Sequence, residues 1–299
     1  GRGNVAVGSH RGFNAANEPT RADTDLRRRR CDMGRLKNSL IGGVCCAALL
    51  FGASAGTSHA INLDDAFVVW LLDEGSGDTA EDKSPQGNNG TITGAEWADG
   101  QFGGGLHFEG DATIVNVDAQ GIGNQVISQS LWVRFDDFDI EHMFGYIASP
   151  DTANARFFYF STWINGGPPH DGVHMGTLDA AGGWGRALAI PKQFDEDEWY
   201  HIVGVTDAEA GAQQVYVNGT LVHDGGFAAA EIPGTPTVLS VGNVPNEGKG
   251  IHGTVDEVAF FNIALSEADV LDLRDEGLAG AAAVQPRGKL PLTWSMLKK

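Results

Sequence analysis

Apolar residues recur along the middle of the chain in short runs separated by turn-forming residues, and the runs carry β-branched and aromatic side chains at alternating positions. AFVVWLL (66–72), GLHFEG (105–110), TIVNV (113–117), SLWVRF (130–135), RFFYFSTWI (156–164), WYHIVGV (199–205), QQVYVNG (213–219), TVLSVG (237–242) and GTVDEVAFFN (253–262) each predict a strand. At least nine strands with no helix between them predict antiparallel sheets packed face to face. Asn218-Gly219 sits between two strand-like arms and predicts a type I′ hairpin turn, because both residues tolerate positive φ. The same pair begins a glycosylation sequon, as does Asn89-Gly90-Thr91, and the turn explains both equally well. One helix is predicted, from the capping pattern Ser266-Glu267-Ala268-Asp269 through VLDLRDEG to a stop at Gly277.

The first sixty residues follow another pattern. Met33 to Ala60 has a basic start at Arg35 and Lys37, an apolar stretch from Leu40 to Ala53, and small residues leading to Ser58-His59-Ala60. That is the form of a signal peptide cleaved after Ala60, with an apolar stretch too short to remain as a membrane span. Residues 1–32 then read as an upstream extension, translated in error or an unusual leader. Residues 61–280 read as one domain, and the basic segment 281–299 as a tail. Cys31, Cys45 and Cys46 all precede residue 61, so the exported part is expected to carry neither disulfide nor thiol. Val44 before Cys45 fits a lipoprotein cleavage site poorly.

Charge divides at the same boundary. Residues 61–299 contain eleven Lys/Arg and thirty-five Asp/Glu, a net −24, which argues against nucleic acid and anionic membrane surfaces as partners. Neutral glycans, cations and basic protein surfaces remain, and the expected location is extracellular or periplasmic.

The order of the blocks WLLDEGSGDTAEDKSPQGNNGTI, WADGQFGGGLHFEG, SLWVRF, EWYHIVGV, QVYVNGTLV and IHGTVDEVAFFNIALSEADV resembles the laminin-G-like, concanavalin A-like domains of secreted bacterial proteins. The resemblance runs over residues 64 to 277. It implies an all-β jelly-roll sandwich of two antiparallel sheets, one of them concave, with a short C-terminal helix. It also implies core roles for Trp70, Phe108, Trp132, Trp199 and Phe260, and a packed strand position for His201. Gly103, Gly104 and Gly105 read as a close backbone approach rather than a phosphate cradle, since no helix follows them.

Glycan-cleaving enzymes share this architecture, so paired carboxylates must be sought. In such enzymes the two acids alternate along one strand and face one groove. The nearest cluster here, Asp195-Glu196-Asp197-Glu198, precedes its strand and reads as a solvated turn. No nucleophile elbow, His-Glu-x-x-His helix or Cys-His pair occurs. A non-catalytic binding module is therefore expected, taking a glycan on its loops and concave face, with an extracellular protein partner as the alternative. Segments 161–177 and 182–188 read as the binding loops and offer Trp163, His170, Asp171, His174, Trp184 and Arg186. Trp184, between glycines, reads as an exposed sugar platform.

EDKSPQGNNGTI (81–92) holds four oxygen-bearing side chains, Asp82, Ser84, Asn88 and Asn89, with Pro85, Gly87 and Gly90 to bend the backbone. Such a loop is either a turn closed by its own backbone or one side of a structural Ca2+ site. The second reading takes Asp82 and Asn88 from the loop and Asp256 from the last strand, where the resemblance places an acid before the closing strand. Strand alternation predicts that Asp256 and Glu257 point to opposite faces.

Overall fold

The structure is a computed structural model that describes residues 61–110, 113–116, 119–123, 125–148, 156–162, 168–178, 184–226, 236–243 and 250–283. The predicted leader and all but the first residues of the predicted tail lie outside this set. In chain order the strands are β1 (Ala66–Trp70), β2 (Thr79–Ala80), β3 (Gly90–Thr93), β4 (Glu96–Asp99), β5 (Gly104–Glu109), β6 (Thr113–Asn116), β7 (Val126–Phe135), β8 (Met143–Ala148), β9 (Arg156–Ser161), β10 (Val173–Leu178), β11 (Trp184–Ile190), β12 (Trp199–Asp207), β13 (Ala212–Val217), β14 (Thr220–Gly226), β15 (Val238–Val241) and β16 (His252–Phe261). A 3-10 turn (Leu63–Asp65) precedes β1, and helix α1 spans Glu267–Ala283.

The strands form two antiparallel sheets. One has the order β14-β13-β12-β7-β16-β5-β4, with β1 also pairing β16; the other has the order β11-β10-β9-β8-β15-β6-β3-β2. Each sheet turns one face inward. Phe67, Trp70, Leu106, Phe108, Val133, Phe135 and Phe260 from the first meet Ile114, Phe144, Phe158, Phe160, Met175 and Leu239 from the second in one continuous core. Gly204 faces that core, and a Cβ there would strike the Phe160 ring and the Met175 sulfur, so the absence of a side chain on β12 makes room for the opposite sheet.

The outer face of the first sheet is half covered. Val203, Val205, Tyr216, Ala259 and Phe261 turn outward and bury against Val270, Leu273 and Leu278 of α1. WYHIVGV is apolar on both faces for this reason. All nine predicted strands occur, together with strands that no alternation announced, β8 and β10 in the interior of the second sheet among them. The hairpin turn has φ 50° at Asn218 and 75° at Gly219, the signs a type I′ turn requires. Ser266 and Asp269 cap α1 reciprocally: the Ser266 amide donates to Asp269 at 2.8 Å and the Asp269 amide to Ser266 at 3.3 Å. Gly277 (φ 68°) breaks the helix where the stop is expected, and a second helical stretch runs on from this kink to Ala283.

Two of the expected core aromatics depart from that role. Trp70, Phe108 and Phe260 are fully buried between the sheets. Trp132 and Trp199 instead point to the outer face of the first sheet. Trp132 packs on Phe102 and His201 with centroid separations of 5.8 and 5.2 Å. Trp199 is half-exposed under the Arg134 guanidinium at 5.5 Å.

Candidate functional site

The acidic loop after β1 closes on itself. Asp82 Oδ1 accepts from the Val69 and Ser84 amides, both at 2.8 Å, and Oδ2 accepts from the Ser84 hydroxyl and the Asn88 amide, both at 2.7 Å. Asn88 is equally engaged: Nδ2 donates to the Phe67 and Gln120 carbonyls, and Oδ1 accepts from the Gln120 amide. Its own carbonyl accepts from the Trp70 indole at 3.0 Å. The loop is a clamp that ties β1 to the chain ahead of β3.

Asp256 serves a different clamp. It is fully buried on β16; Oδ2 accepts from the Phe102 amide at 2.8 Å and Oδ1 from the Glu257 amide at 2.7 Å. Glu257 accepts from the Leu278 amide where α1 kinks. A bulge at Glu257 (φ 52°) breaks the expected alternation: Val255 and Val258, three residues apart, both enter the core. Both acids are thereby turned away from the core, each to its own backbone amides. Asp82, Asn88 and Asp256 do not form one donor set for calcium, because each carboxylate faces N–H and O–H donors, which a cation would have to displace. Among the described residues no group of three or more His, Cys, Asp or Glu is arranged to hold a metal ion.

The predicted ligand residues converge on one edge of the second sheet, formed by β9, β10 and β11. His170 and Asp171 lead into β10, His174 lies within it, and Trp184 and Arg186 lie on the edge strand β11. Trp184 is therefore a strand residue opposite Leu178, not a loop residue as its glycine neighbours suggested, and Arg186 is opposite Thr177. Trp163 lies outside the described residues, and so do the side chains of Trp184 and Arg186. His174 is buried on the outer face, its ring nitrogens 3.3 Å from the Tyr159 hydroxyl and 3.2 Å from the Ser161 hydroxyl.

At the β10 end of this edge a cleft of about 290 Å³ opens, lined by Phe138, Pro169, Asp171, Lys192, Phe194, Asp195 and Glu196. Its floor is apolar: Phe138 and Phe194 stack at 6.3 Å, and both are buried. Its rim is polar and acidic, three carboxylates against one ammonium, with Lys192 Nζ 2.6 Å from Asp195 and 3.8 Å from Asp171. The amides of Gln193 and Phe194 donate to the Asp171 carbonyl, and the His170 amide to the Phe138 carbonyl, which fixes the two lips. His170 Nδ1, beside the rim, is buried and has no partner among the described residues. Sequence reasoning found Asp171 and His170 but missed Phe138, Lys192 and Phe194. The last of these is signalled only as an apolar residue before an acidic turn.

Residues 109–271 match the family described as the concanavalin A-like lectin/glucanases superfamily. The chain belongs to that superfamily. No curated protein is significantly similar to it. Solved structures share the fold at low identity. Domain 4 of AbnA, a GH43 extracellular arabinanase from Geobacillus stearothermophilus, in complex with arabinotriose, is 21% identical with a TM-score of 0.57, over 70% of this chain and 98% of that one. The botulinum neurotoxin serotype D binding domain is 12% identical with a TM-score of 0.53, over 71% of this chain and 52% of that one. The Trypanosoma rangeli sialidase in complex with the inhibitor DANA is 18% identical with a TM-score of 0.52, over 69% and 32%. This chain thus spans about half of the toxin domain and a third of the sialidase.

Superfamily membership includes glucanases by description, which makes the placement of acids informative. Asp195, Glu196, Asp197 and Glu198 are all exposed, in the turn ahead of β12, where nothing desolvates a carboxyl group. Burial raises Asp256 and Glu257 to about 7, but both are closed off from solvent and occupied with backbone amides. Burial also lowers His201 to about 3, consistent with a neutral strand histidine whose Nε2 meets the Ser130 hydroxyl at 2.9 Å. Among the described residues no helix is long and apolar enough to cross a membrane.

Two predictions follow from the clamps. Asp82→Ala removes an acceptor from four donors and should destabilise the domain by about 2–4 kcal/mol in urea unfolding, while EDTA leaves the wild-type curve unchanged. A calcium-dependent midpoint would show that the loop does bind the ion. The second concerns pH. Carboxyls whose folded pKa is raised contribute stability that is complete below pH ~4 and lost as pH rises towards about 7, whereas the lowered histidines act in the opposite sense below pH ~6.5. The wild-type curve mixes both, so the difference between variants isolates the acid. Asp256→Asn should be least stable relative to wild type at about pH 4 and below and recover steadily by about pH 8; a pH-independent difference would contradict the assignment.

Proposed function

We propose that the chain is a non-catalytic, exported binding module that takes a neutral saccharide in the cleft at the β10 edge. The observation that carries this reading is the cleft itself: an apolar floor of Phe138, Phe194 and Pro169 beneath a rim of Asp171, Lys192 and Asp195. A pyranose or furanose ring has one face of C–H groups and a perimeter of hydroxyls, which are both donors and acceptors. Carboxylates accept from those hydroxyls and the ammonium group donates to them, and charged partners strengthen such bonds. Three carboxylates against one ammonium disfavour an anionic ligand, whereas the hydroxyls of a neutral sugar bridge these groups without bringing a charge. The volume suits one or two sugar rings, at the lower end of small-molecule sites.

The arabinotriose complex of the arabinanase domain, which this chain matches over nearly that domain's full length, supports a saccharide ligand. The leader pattern at Met33–Ala60 supports export.

A panel of neutral plant and microbial polysaccharides, followed by calorimetric titration of the best oligosaccharide, tests the proposal. Asp171→Asn should weaken binding tenfold or more with an unchanged melting temperature; the lost charge-assisted bonds correspond to about 1.5–3 kcal/mol. Silence across the whole panel would overturn the saccharide reading in favour of a protein partner.

A further inference from the structure

We infer that the uncovered half of the first sheet's outer face is a second saccharide platform, built on Trp199 and Arg134 and separate from the cleft. The inference rests on the saccharide reading above for its ligand class, and on an independent set of residues for its place.

Register sets the platform out. Glu96 is opposite His107, His107 opposite Thr254, Thr254 opposite Arg134, and Arg134 opposite Trp199, a single row across β4, β5, β16, β7 and β12. Directly opposed residues share a face, and their row neighbours Val255, Val133 and Leu106 belong to the core, so this row faces outward. Helix α1 buries the other half of that face; along this row Glu96 is exposed, His107, Arg134 and Trp199 are partly exposed, and Thr254 is buried among them. Strands lie ~4.8 Å apart, so the stretch from His107 to Trp199 spans ~14 Å, the reach of two or three sugar rings.

Arg134 carries the functional argument. Lys83, Lys192 and Arg274 each hold a carboxylate oxygen at 2.6–2.7 Å. Arg134, in a chain with a large acidic excess, has no ion-pair partner among the described residues. Its guanidinium lies over the Trp199 ring and donates through one Nη to the Thr254 hydroxyl at 3.3 Å. Its Nε–H is buried without an acceptor, and so is the indole Nε1–H of Trp132, two residues away on the same face of β7. Both of these donors are sealed from solvent, so a ligand meets the partly exposed remainder of the Arg134 guanidinium and the Trp199 indole.

The surroundings decide which ligand. His107 has Asp136 at 3.7 Å and Glu109 at 3.9 Å, and Glu96 is exposed at the end of the row. These carboxylates oppose an anionic ligand. A neutral sugar brings hydroxyl and ring oxygens to the guanidinium and indole N–H groups and lays its C–H face on the half-exposed Trp199 ring, with no charge to be repelled.

Two-dimensional NMR of the ¹⁵N-labelled protein, titrated with neutral arabino-, xylo-, gluco-, galacto- and manno-oligosaccharides, reads the platform directly. The indole N–H signals of Trp132 and Trp199 should shift with the ligand that binds best, and should still shift in Asp171→Asn. In Arg134→Gln, checked for an unchanged melting temperature, those indole shifts should vanish or need at least tenfold more ligand, while backbone signals of the cleft respond as in wild type. Undisturbed indoles beside a responding cleft would overturn the platform and leave the saccharide reading intact. No response at either place would overturn both. Indole shifts elicited only by oligogalacturonate, or only by a protein, would overturn the neutral-sugar assignment.

Discussion

Strand β16 changes partner halfway along its length, and two buried carboxylates make that change possible. Residues His252–Val255 pair with β5, and Val258–Phe261 pair with β1 along the same edge, while β7 runs along the other. Between the two pairings the ladder must break, leaving amides that need acceptors in a dry environment. Asp256 supplies one to the turn that launches β5, and Glu257 supplies one to the helix kink at Leu278. The bulge at Glu257 is what points both acids out of the core. Without this arrangement, β1, β5 and α1 would have no common anchor, and the first sheet would lose the strand that orders it.

The remaining architecture distributes exposure in a way that suits binding. Helix α1 covers half of one outer face, and the Trp199–Arg134 row lies on the other half. The second sheet ends at β11, and the chain's approach to β10 leaves an open cleft with aromatic rings beneath and charges around. Rigid strands on both sides hold the lips, since the backbone amides at His170, Gln193 and Phe194 are all bonded across the cleft's base. A pre-formed site of this kind loses little conformational freedom on binding.

Much of the fold was legible in the sequence because the strands between the sheets alternate cleanly, and the Asn-Gly turn and the Ser266 cap have local causes. What escaped was set by tertiary context. WYHIVGV is apolar on both faces because a helix packs behind it, so alternation could not tell that Trp199 faces outward. β14 has no buried position, and the Asn218-Gly219 turn rather than alternation announces it. Trp184 lies among glycines, which mimic a loop, yet an edge strand tolerates them. Strict alternation also separated Asp256 from Glu257, because a bulge is invisible to a period-two pattern. The candidate site was legible in part: acids and histidines near β10 stood out, but the cleft's aromatic floor comes from Phe138 and Phe194, distant in sequence and ordinary in appearance.

Affinity electrophoresis of the domain through gels containing neutral polysaccharides, with product analysis of the retained carbohydrate, tests the account most directly. A saccharide-binding module without paired in-groove carboxylates should be retarded by at least one polymer and return it uncut. Mobility unaffected by every polymer, or release of new reducing ends from a polymer that retards it, would contradict the account.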